Sequence, residues 1–315
     1  MSTTFSVTRD EVVRAALRKV GAAGEGQNPS AQAMQDATEA LNMLVKHWQS
    51  KGLNMWTRTE AVLFFALNKQ YYSFGAGSTD MVCNTASLIE TTLAADAATG
   101  AATLTLADAS SIVDGMNIGV LASTTSLPWT TVSGAPVGNV VTLTVPLPVD
   151  AATGVKVFAF PPLASIPRPL AIVSARRRSS GGIDVPLIEN VREQYFSLPN
   201  KSSQGLVNTY YYDPQIGAGT LYVWPVANDL SDQLRFTYQR PISDLNAAGD
   251  VPEYPQEWYR ALVYGLAYDL TMDYGVVGEQ SQKLQLEAKQ SFNDLEGFDT
   301  DVATYIRPVF DVRSA

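Results

Sequence analysis

Two aromatic passages dominate this chain: Tyr210-Tyr211-Tyr212-Asp213-Pro214-Gln215 leading into Leu221-Tyr222-Val223-Trp224-Pro225, and Phe236-Thr237-Tyr238-Gln239-Arg240-Pro241-Ile242 running on to Pro252-Glu253-Tyr254-Pro255-Gln256-Glu257-Trp258. Both are rich in large side chains, and proline interrupts both, which predicts strands that end against the start of a helix. Neither passage contains a recognisable catalytic motif. We therefore interpret them as structural elements.

Helical periodicity marks both ends of the chain. A capping box at Thr8-Arg9-Asp10-Glu11 begins the first helix, which Gly21 ends. Ser30 caps a second helix that ends before Gly52. A third helix is predicted from Pro255 to about Tyr274, and a fourth over 279–296. We expect the two ends of the chain to meet in one helical domain.

The middle of the chain shows short alternating runs separated by Gly, Pro, Asn and Asp, a pattern typical of antiparallel strands. From Gln70 to Val155 there is no lysine or arginine, and Ala, Thr, Gly and Val prevail. We interpret residues 85–160 as an inserted small β-domain, because surface loops tolerate insertions whose ends lie close together.

These patterns predict an α+β protein with a discontinuous helical domain from both chain ends, an antiparallel β-domain, the inserted β-domain and an extended C-terminal arm. The predicted divisions are 1–60 and 255–298 for the helical domain, 61–84 and 161–254 for the β-domain, 85–160 for the insertion, and 299–315 for the arm.

Composition excludes several classes of protein. The net charge of −9 and the pI near 4.7 mean that free nucleic acid would be repelled on average. One cysteine and one histidine allow no intrachain disulfide and no zinc cluster, so we expect no metal. The glycines at 75–77 and 21–26 fit neither a phosphate loop nor a dinucleotide motif, so we expect no cofactor. We also expect no membrane segment and no leader peptide, because no run is long and apolar enough.

No catalytic residue is predicted. His47 has no nucleophile or carboxylate placed in sequence to complete a triad, and Cys83 is interpreted as a small apolar residue. Peptidoglycan cleavage would need two suitably placed acids, and the late cluster of Asp294, Glu296, Asp299 and Asp301 sits at a helix end and in a solvated tail.

Arg176, Arg177 and Arg178 form the only dense basic patch. Successive strand residues point to alternate faces, so all three cannot reach one DNA backbone. Contact with an acidic neighbouring subunit is the preferred interpretation, with a solvated face and DNA contact as alternatives. The tail carries apolar side chains without helical period, so it is either disordered or an arm that orders on a partner.

Together with Trp48-Gln49-Ser50-Lys51-Gly52-Leu53-Asn54-Met55-Trp56-Thr57, the aromatic passages resemble the head-to-tail adaptors of short-tailed phages, also called tail accessory factors, packaged-DNA-stabilisation proteins or tail tubular protein A. The resemblance covers about 8–84 and 161–298. It leaves the insertion and part of the tail unmatched.

The resemblance implies a ring of twelve copies below the portal, in the virion tail, with a channel through which DNA passes without specific binding. It implies contacts with the portal protein and a tail nozzle or tube, and synthesis in the host cytoplasm. By position alone it assigns portal binding to Tyr305, Ile306, Arg307, Pro308, Val309 and Phe310. We expect the insertion to face tail fibres, spikes or capsid. The alternatives are a virion-associated peptidoglycan hydrolase and a host-surface adhesin.

Overall fold

The computed structural model describes residues 5–24, 26–51, 55–162 and 166–296. This part of the chain contains both α-helices and antiparallel sheets, which confirms the predicted mixed α+β class. The elements gather into two compact units. One is built from both ends of the chain, up to Thr57 and from Ile242 onward, and the other spans Arg58–Pro241.

The helices are α1 (Arg9–Val20), α2 (Ala31–Ser50), α3 (Arg192–Phe196), α4 (Tyr259–Asp269) and α5 (Glu279–Glu296). The strands are β1 (Arg58–Phe64), β2 (Tyr71–Phe74), β3 (Val82–Asn84), β4 (Ile89–Thr92), β5 (Thr103–Thr105), β6 (Asn117–Val120), β7 (Trp129–Thr131), β8 (Val140–Thr142), β9 (Lys156–Phe160), β10 (Ala171–Arg178), β11 (Asp184–Pro186), β12 (Ile188–Glu189), β13 (Gln204–Gly205), β14 (Thr209–Pro214), β15 (Gly219–Trp224), β16 (Val226–Ala227) and β17 (Gln233–Gln239).

Local signals set most helix boundaries. The capping box forms, because the Glu11 carboxylate accepts from the Thr8 amide at 2.8 Å and the Thr8 hydroxyl accepts from the Glu11 amide. The third helix is shorter than predicted. A 3₁₀ turn precedes α4, which ends at Asp269 because the Thr271 amide and hydroxyl both donate to the Tyr268 carbonyl, at 3.1 and 2.7 Å, and tighten the turn.

An aromatic cluster forms the centre of the helical unit. The Trp48 ring lies 5.1 Å from Phe292 and 5.9 Å from Trp258 between ring centroids. The Trp56 indole donates to the Glu253 carbonyl at 2.8 Å and packs against Trp258. These side chains come from both ends of the chain, so their burial holds the two segments together.

Two sheets enclose the larger core of the β unit. Strands order as β11-β10-β17-β1-β3 in one sheet and β12-β14-β15-β2 in the other. All neighbours are antiparallel except β12 and β14. Phe74 of one sheet stacks on Phe236 of the other at 5.3 Å, and the alternating residues of both passages fill the space between.

The tyrosine run follows strand alternation. Tyr210 and Tyr212 are buried in the core, whereas Tyr211 points to the other face. The Tyr212 hydroxyl donates to the Pro169 carbonyl at 2.6 Å, and its ring crosses Gly219, where any Cβ would overlap it. Two of the three tyrosines therefore pack in the core of the β unit.

Residues 89–160 hold two further sheets, ordered β4-β9-β6-β7 and β5-β8. The first and last strands of the stretch pair directly, with Ile89 opposite Ala159, so its entry and exit are neighbours. Most of its apolar side chains form a separate core cluster. Phe158 and Phe160 instead pack against Phe64 of β1. The domain boundaries drawn from the sequence stay a prediction.

Candidate interaction surfaces

Carboxylates of the same chain pair with all three arginines of the basic patch. Alternation along β10 puts Arg176 and Arg178 on one face and Arg177 on the other. Arg178 forms two hydrogen bonds with Asp184, at 2.8 and 2.9 Å, which raise the pKa of Arg178 and lower that of Asp184. Arg176 bonds to Asp184 at 3.1 Å and to Glu60. The proposed role of these arginines at a subunit interface stays a prediction.

Arg177 forms the more deeply buried pair. Its guanidinium donates to Asp232, with 13% of the arginine side chain and 9% of the aspartate side chain exposed. A pair so withdrawn from water satisfies its own charges. Removing either partner would leave the other charge buried and unpaired. The buried Nε of Arg177 has no hydrogen-bond partner among the described residues, but with 13% of its side chain exposed Arg177 offers little surface to an external partner.

A cleft of about 440 Å³ lies among α2, α4 and α5 in the helical unit. Trp48 and Phe292 contribute apolar surface, and Lys51 lies over the Phe292 ring at 4.6 Å. His47 and Asp269 both line the cleft, although sequence placed no carboxylate near the histidine. Desolvation raises the pKa of the Asp269 carboxyl, and the charge of His47 opposes that shift.

Two of the four late acidic residues lie within the described part of the chain. Asp294 and Glu296 are exposed on α5, and Asp299 and Asp301 lie outside the described residues. Among the residues that the structure describes, no group of three His, Cys, Asp or Glu side chains gathers as a metal site. In the same residues, no helix has the length and hydropathy needed to span a bilayer.

Aromatic residues of β2, β14, β15 and α3 form a surface that was not predicted from the sequence. Tyr71, Tyr211 and Tyr222 lie side by side across β2, β14 and β15, with Tyr211 and Tyr222 stacked at 5.8 Å. Tyr195 and Phe196 of α3 pack onto them. We call these five residues the tyrosine face, although Tyr195 itself is buried and supports the other four. Tyr71 is 55% exposed and Phe196 is 44% exposed. Aromatic side chains in such positions are typical of surfaces that bind other proteins.

Alternation could have revealed this surface. Tyr211 and Tyr222 alternate with residues of the core along their strands, so an outward tyrosine on each strand is readable from the sequence. Strand order is not readable, because β2 comes from far upstream in the chain.

The predicted portal-binding residues Tyr305, Ile306, Arg307, Pro308, Val309 and Phe310 lie outside the described residues. Cys83 is fully buried on β3, as expected for a small apolar residue.

Comparisons with known proteins identify the family. No match was found among the curated proteins. Among solved structures, the Gp54 tailspike of Acinetobacter baumannii bacteriophage AP22, in complex with A. baumannii capsular saccharide, is similar over 33% of this chain at 17% identity, with a TM-score of 0.22. This chain spans 20% of the tailspike's length, and a TM-score so low identifies neither fold nor function.

The model of the SU10 adaptor protein family matches residues 116–309, more than half of the 315 residues. The match corrects the extent of the resemblance, because it includes the second half of the predicted insertion and most of the predicted arm. This chain therefore belongs to the SU10 adaptor protein family, a family of phage head-to-tail adaptors.

Proposed function

We propose that this protein forms a ring of twelve copies below the portal, which seals the packaged DNA, provides the platform for tail attachment and encloses the DNA channel. The observation that carries this proposal is the family match over residues 116–309. Family membership makes the chain a virion component that associates with others such as the portal and the tail. SU10 adaptors are structural proteins, and we assign this chain no enzymatic role.

Ring closure needs two different surfaces on each subunit that complement each other. The tyrosine face and the helical cleft are two candidates with different chemistry. The first is aromatic, with Arg192 and Lys201 near the Phe196 ring at 5.2 and 5.9 Å. The second combines apolar and charged side chains. Aromatic and arginine side chains carry much of the binding energy in protein interfaces.

The acidity of the chain suits a channel for DNA. Twelve copies carry a formal charge of 12 × (−9) = −108. Walls that share this sign repel the phosphate backbone, so DNA would slide without sticking. In the proposed ring, part of the acidic excess faces the channel.

Two further partners complete the proposal. A tail nozzle or tail tube protein would dock on the ring, and the 85–160 insertion would face a fibre, spike or capsid protein. The basis for the second is the scarcity of charge on the insertion, since a weakly charged surface costs little to dehydrate in a contact.

Electron microscopy of the protein mixed with its own portal tests the proposal directly. We expect twelvefold rings on one end of the portal, at a range of salt concentrations. The free protein need not form rings, because the portal can act as the template. A purified portal that retains no copy of the chain at any salt concentration would contradict the proposal.

Truncation after Asp299 tests the arm. Burying one apolar side chain such as Phe310 contributes roughly 1.5 to 3 kcal/mol, while ordering backbone costs about 1 to 2 kcal/mol per residue. One arm would hold weakly, and a ring of arms would hold well through high effective concentration. We expect the truncated chain to lose portal docking with unchanged circular dichroism and melting. Equal docking of the truncated and intact chains would assign the contact to the helical unit.

A further inference from the structure

A second cavity, of about 310 Å³, lies in the β unit beside the turn between β10 and β11. Lys156 of β9, Arg178 of β10 and Arg235 of β17 line it, together with Glu90 of β4. The turn residues Ser180–Gly182 are exposed and also line the cavity, so its mouth opens at the surface. The predicted insertion and the sheet that contains β10 and β17 thus both contribute residues to the cavity.

The charge around this cavity is positive, although the chain is acidic. Lys156, Arg178 and Arg235 line the cavity and carry three positive charges. Arg176, which does not line it, shares Asp184 with Arg178 and adds a fourth. Three carboxylates, those of Glu60, Glu90 and Asp184, pair with the arginines. The sum of four positive and three negative charges is +1, in a chain whose net charge is −9.

Arg235 lines the cavity as a buried and only partly paired guanidinium. The residue is 9% exposed, and its Nη2 donates to Glu90 at 3.0 Å and more weakly to Gln233. Its buried Nε has no hydrogen-bond partner among the described residues. Glu90, its compensating carboxylate, is 42% exposed and therefore partly hydrated. A buried guanidinium with one half-exposed counterion favours the approach of another anionic group.

We propose that this cavity receives a carboxylate side chain from a neighbouring copy of the same chain. This inference rests on the proposed ring. The chain supplies such groups in excess, since it has 31 acidic and 22 basic side chains. A ring of acidic subunits gains from every interface at which a carboxylate meets a surplus cation.

A DNA phosphate fits the cavity less well. Phosphates follow one another along the backbone, so a nucleic-acid site presents a row of cations. Here three carboxylates flank the cations, and they would repel the phosphates on either side. A single side chain carboxylate enters without such neighbours.

The test places a competing carboxylate inside the cavity. Ser180→Asp changes an exposed lining residue, so the fold should persist, and melting and circular dichroism check this. Ser111→Asp is the matched control, because it adds the same charge at an exposed position of the insertion that does not line the cavity. Lys156→Gln removes one of the cations, and Lys156→Arg keeps the charge.

Copies bound per portal are counted by native mass spectrometry across a concentration series. We expect Ser180→Asp and Lys156→Gln to need at least about tenfold more protein for half occupancy, which is about 1.4 kcal/mol. Ser111→Asp and Lys156→Arg should match the unmodified chain. The proposal would be overturned if Ser180→Asp formed rings at the protein concentrations that suffice for the unmodified chain. Equal losses of occupancy in Ser180→Asp and Ser111→Asp would overturn it as well.

Two further outcomes are separable. If the unmodified chain never binds the portal, the proposed function fails before the cavity is tested. A labelled duplex DNA of about 30 base pairs, titrated with the free chain, tests the nucleic-acid alternative. Binding of this duplex that Lys156→Gln abolishes would assign the cavity to phosphate and overturn the carboxylate proposal.

Discussion

Cys83 lies fully buried in the core between the two large sheets. Burial raises the pKa of its thiol to about 12, since the charged thiolate would lose its hydration. The reactive thiolate is therefore much scarcer at neutral pH than for a free cysteine. We expect no modification of the folded protein by a thiol reagent at pH 8, and full modification in denaturant. Rapid labelling of the native chain would show that β3 opens.

The buried pair of Arg177 and Asp232 gives a second prediction at this scale. Asp232→Ala leaves a buried guanidinium without its counterion, which typically costs about 3 to 5 kcal/mol. We expect a clear fall in the urea midpoint of the β unit. The double variant Arg177→Met with Asp232→Leu should recover most of the loss, because no buried charge then remains.

Glu287→Ala is the exposed counterpart of this pair in the helical unit, and its effect is measured on the urea midpoint of that unit. Glu287 pairs with Arg260 at 2.8 Å, but 66% of the arginine side chain and 41% of the glutamate side chain are exposed. Water screens such a pair, so the urea midpoint should hardly change. A similar loss in both single variants would mean that burial does not set the strength of these pairs.

Among the elements, α1 depends most visibly on its cap. Thr8→Ala removes the hydroxyl that accepts from the Glu11 amide, so we expect the Tm to fall by roughly 1 to 3 °C at pH 7. Thr8→Ser keeps the acceptor and should melt like the unmodified chain. Equal melting of all three would show that packing of α1 outweighs its cap.

The cap also predicts a pH dependence. Hydrogen bonds from the Thr8 backbone and side chain lower the pKa of Glu11 from its usual value near 4.5. A carboxyl whose pKa is lowered in the folded chain stabilises that chain at pH values above its usual pKa. This stabilisation is lost as the pH falls through the lowered pKa. Thr8→Ala keeps the backbone amide that donates to Glu11, so Glu11→Gln, which has no carboxyl to titrate, is the variant for this test. The difference in Tm between the unmodified chain and Glu11→Gln should narrow on calorimetry as the pH falls below about 4.5.

At the scale of the whole molecule, deletion of residues 85–160 tests whether the insertion is separable. Joining the neighbouring ends with a short Gly-Ser linker should preserve the contact with the portal, while the loss of Lys156 from the cavity should raise the protein concentration needed for half occupancy. The structure adds one condition, because Trp129, Phe158 and Phe160 cover the Phe64 ring at 4.9 to 6.3 Å. The deletion should be made with Phe64→Thr, which replaces an uncovered aromatic ring with a strand-forming polar residue.

We expect the repaired deletion to be soluble and to bind the portal in a pull-down. The unrepaired deletion should aggregate more readily at equal concentration. An insoluble or non-binding repaired deletion would show that the stretch belongs to the core of the β unit.

Local sequence signals determined the α+β class and the starts of α1, α2 and α5, because caps and apolar periodicity act within one helix. The quoted aromatic residues carried the resemblance, and their roles in the structure are mainly packing. Trp48, Tyr254 and Trp258 meet in one cluster from distant parts of the chain.

Only the tertiary structure decided which charged and aromatic groups meet. Arg177 pairs with Asp232, which lies 55 positions away in sequence, and Arg235 pairs with Glu90, which lies 145 positions away. The order of the strands brings these distant residues together. The tyrosine face likewise needs β2 beside β15. Periodicity tells which side of a strand a residue takes, but pairing between distant strands depends on the packing of the whole core.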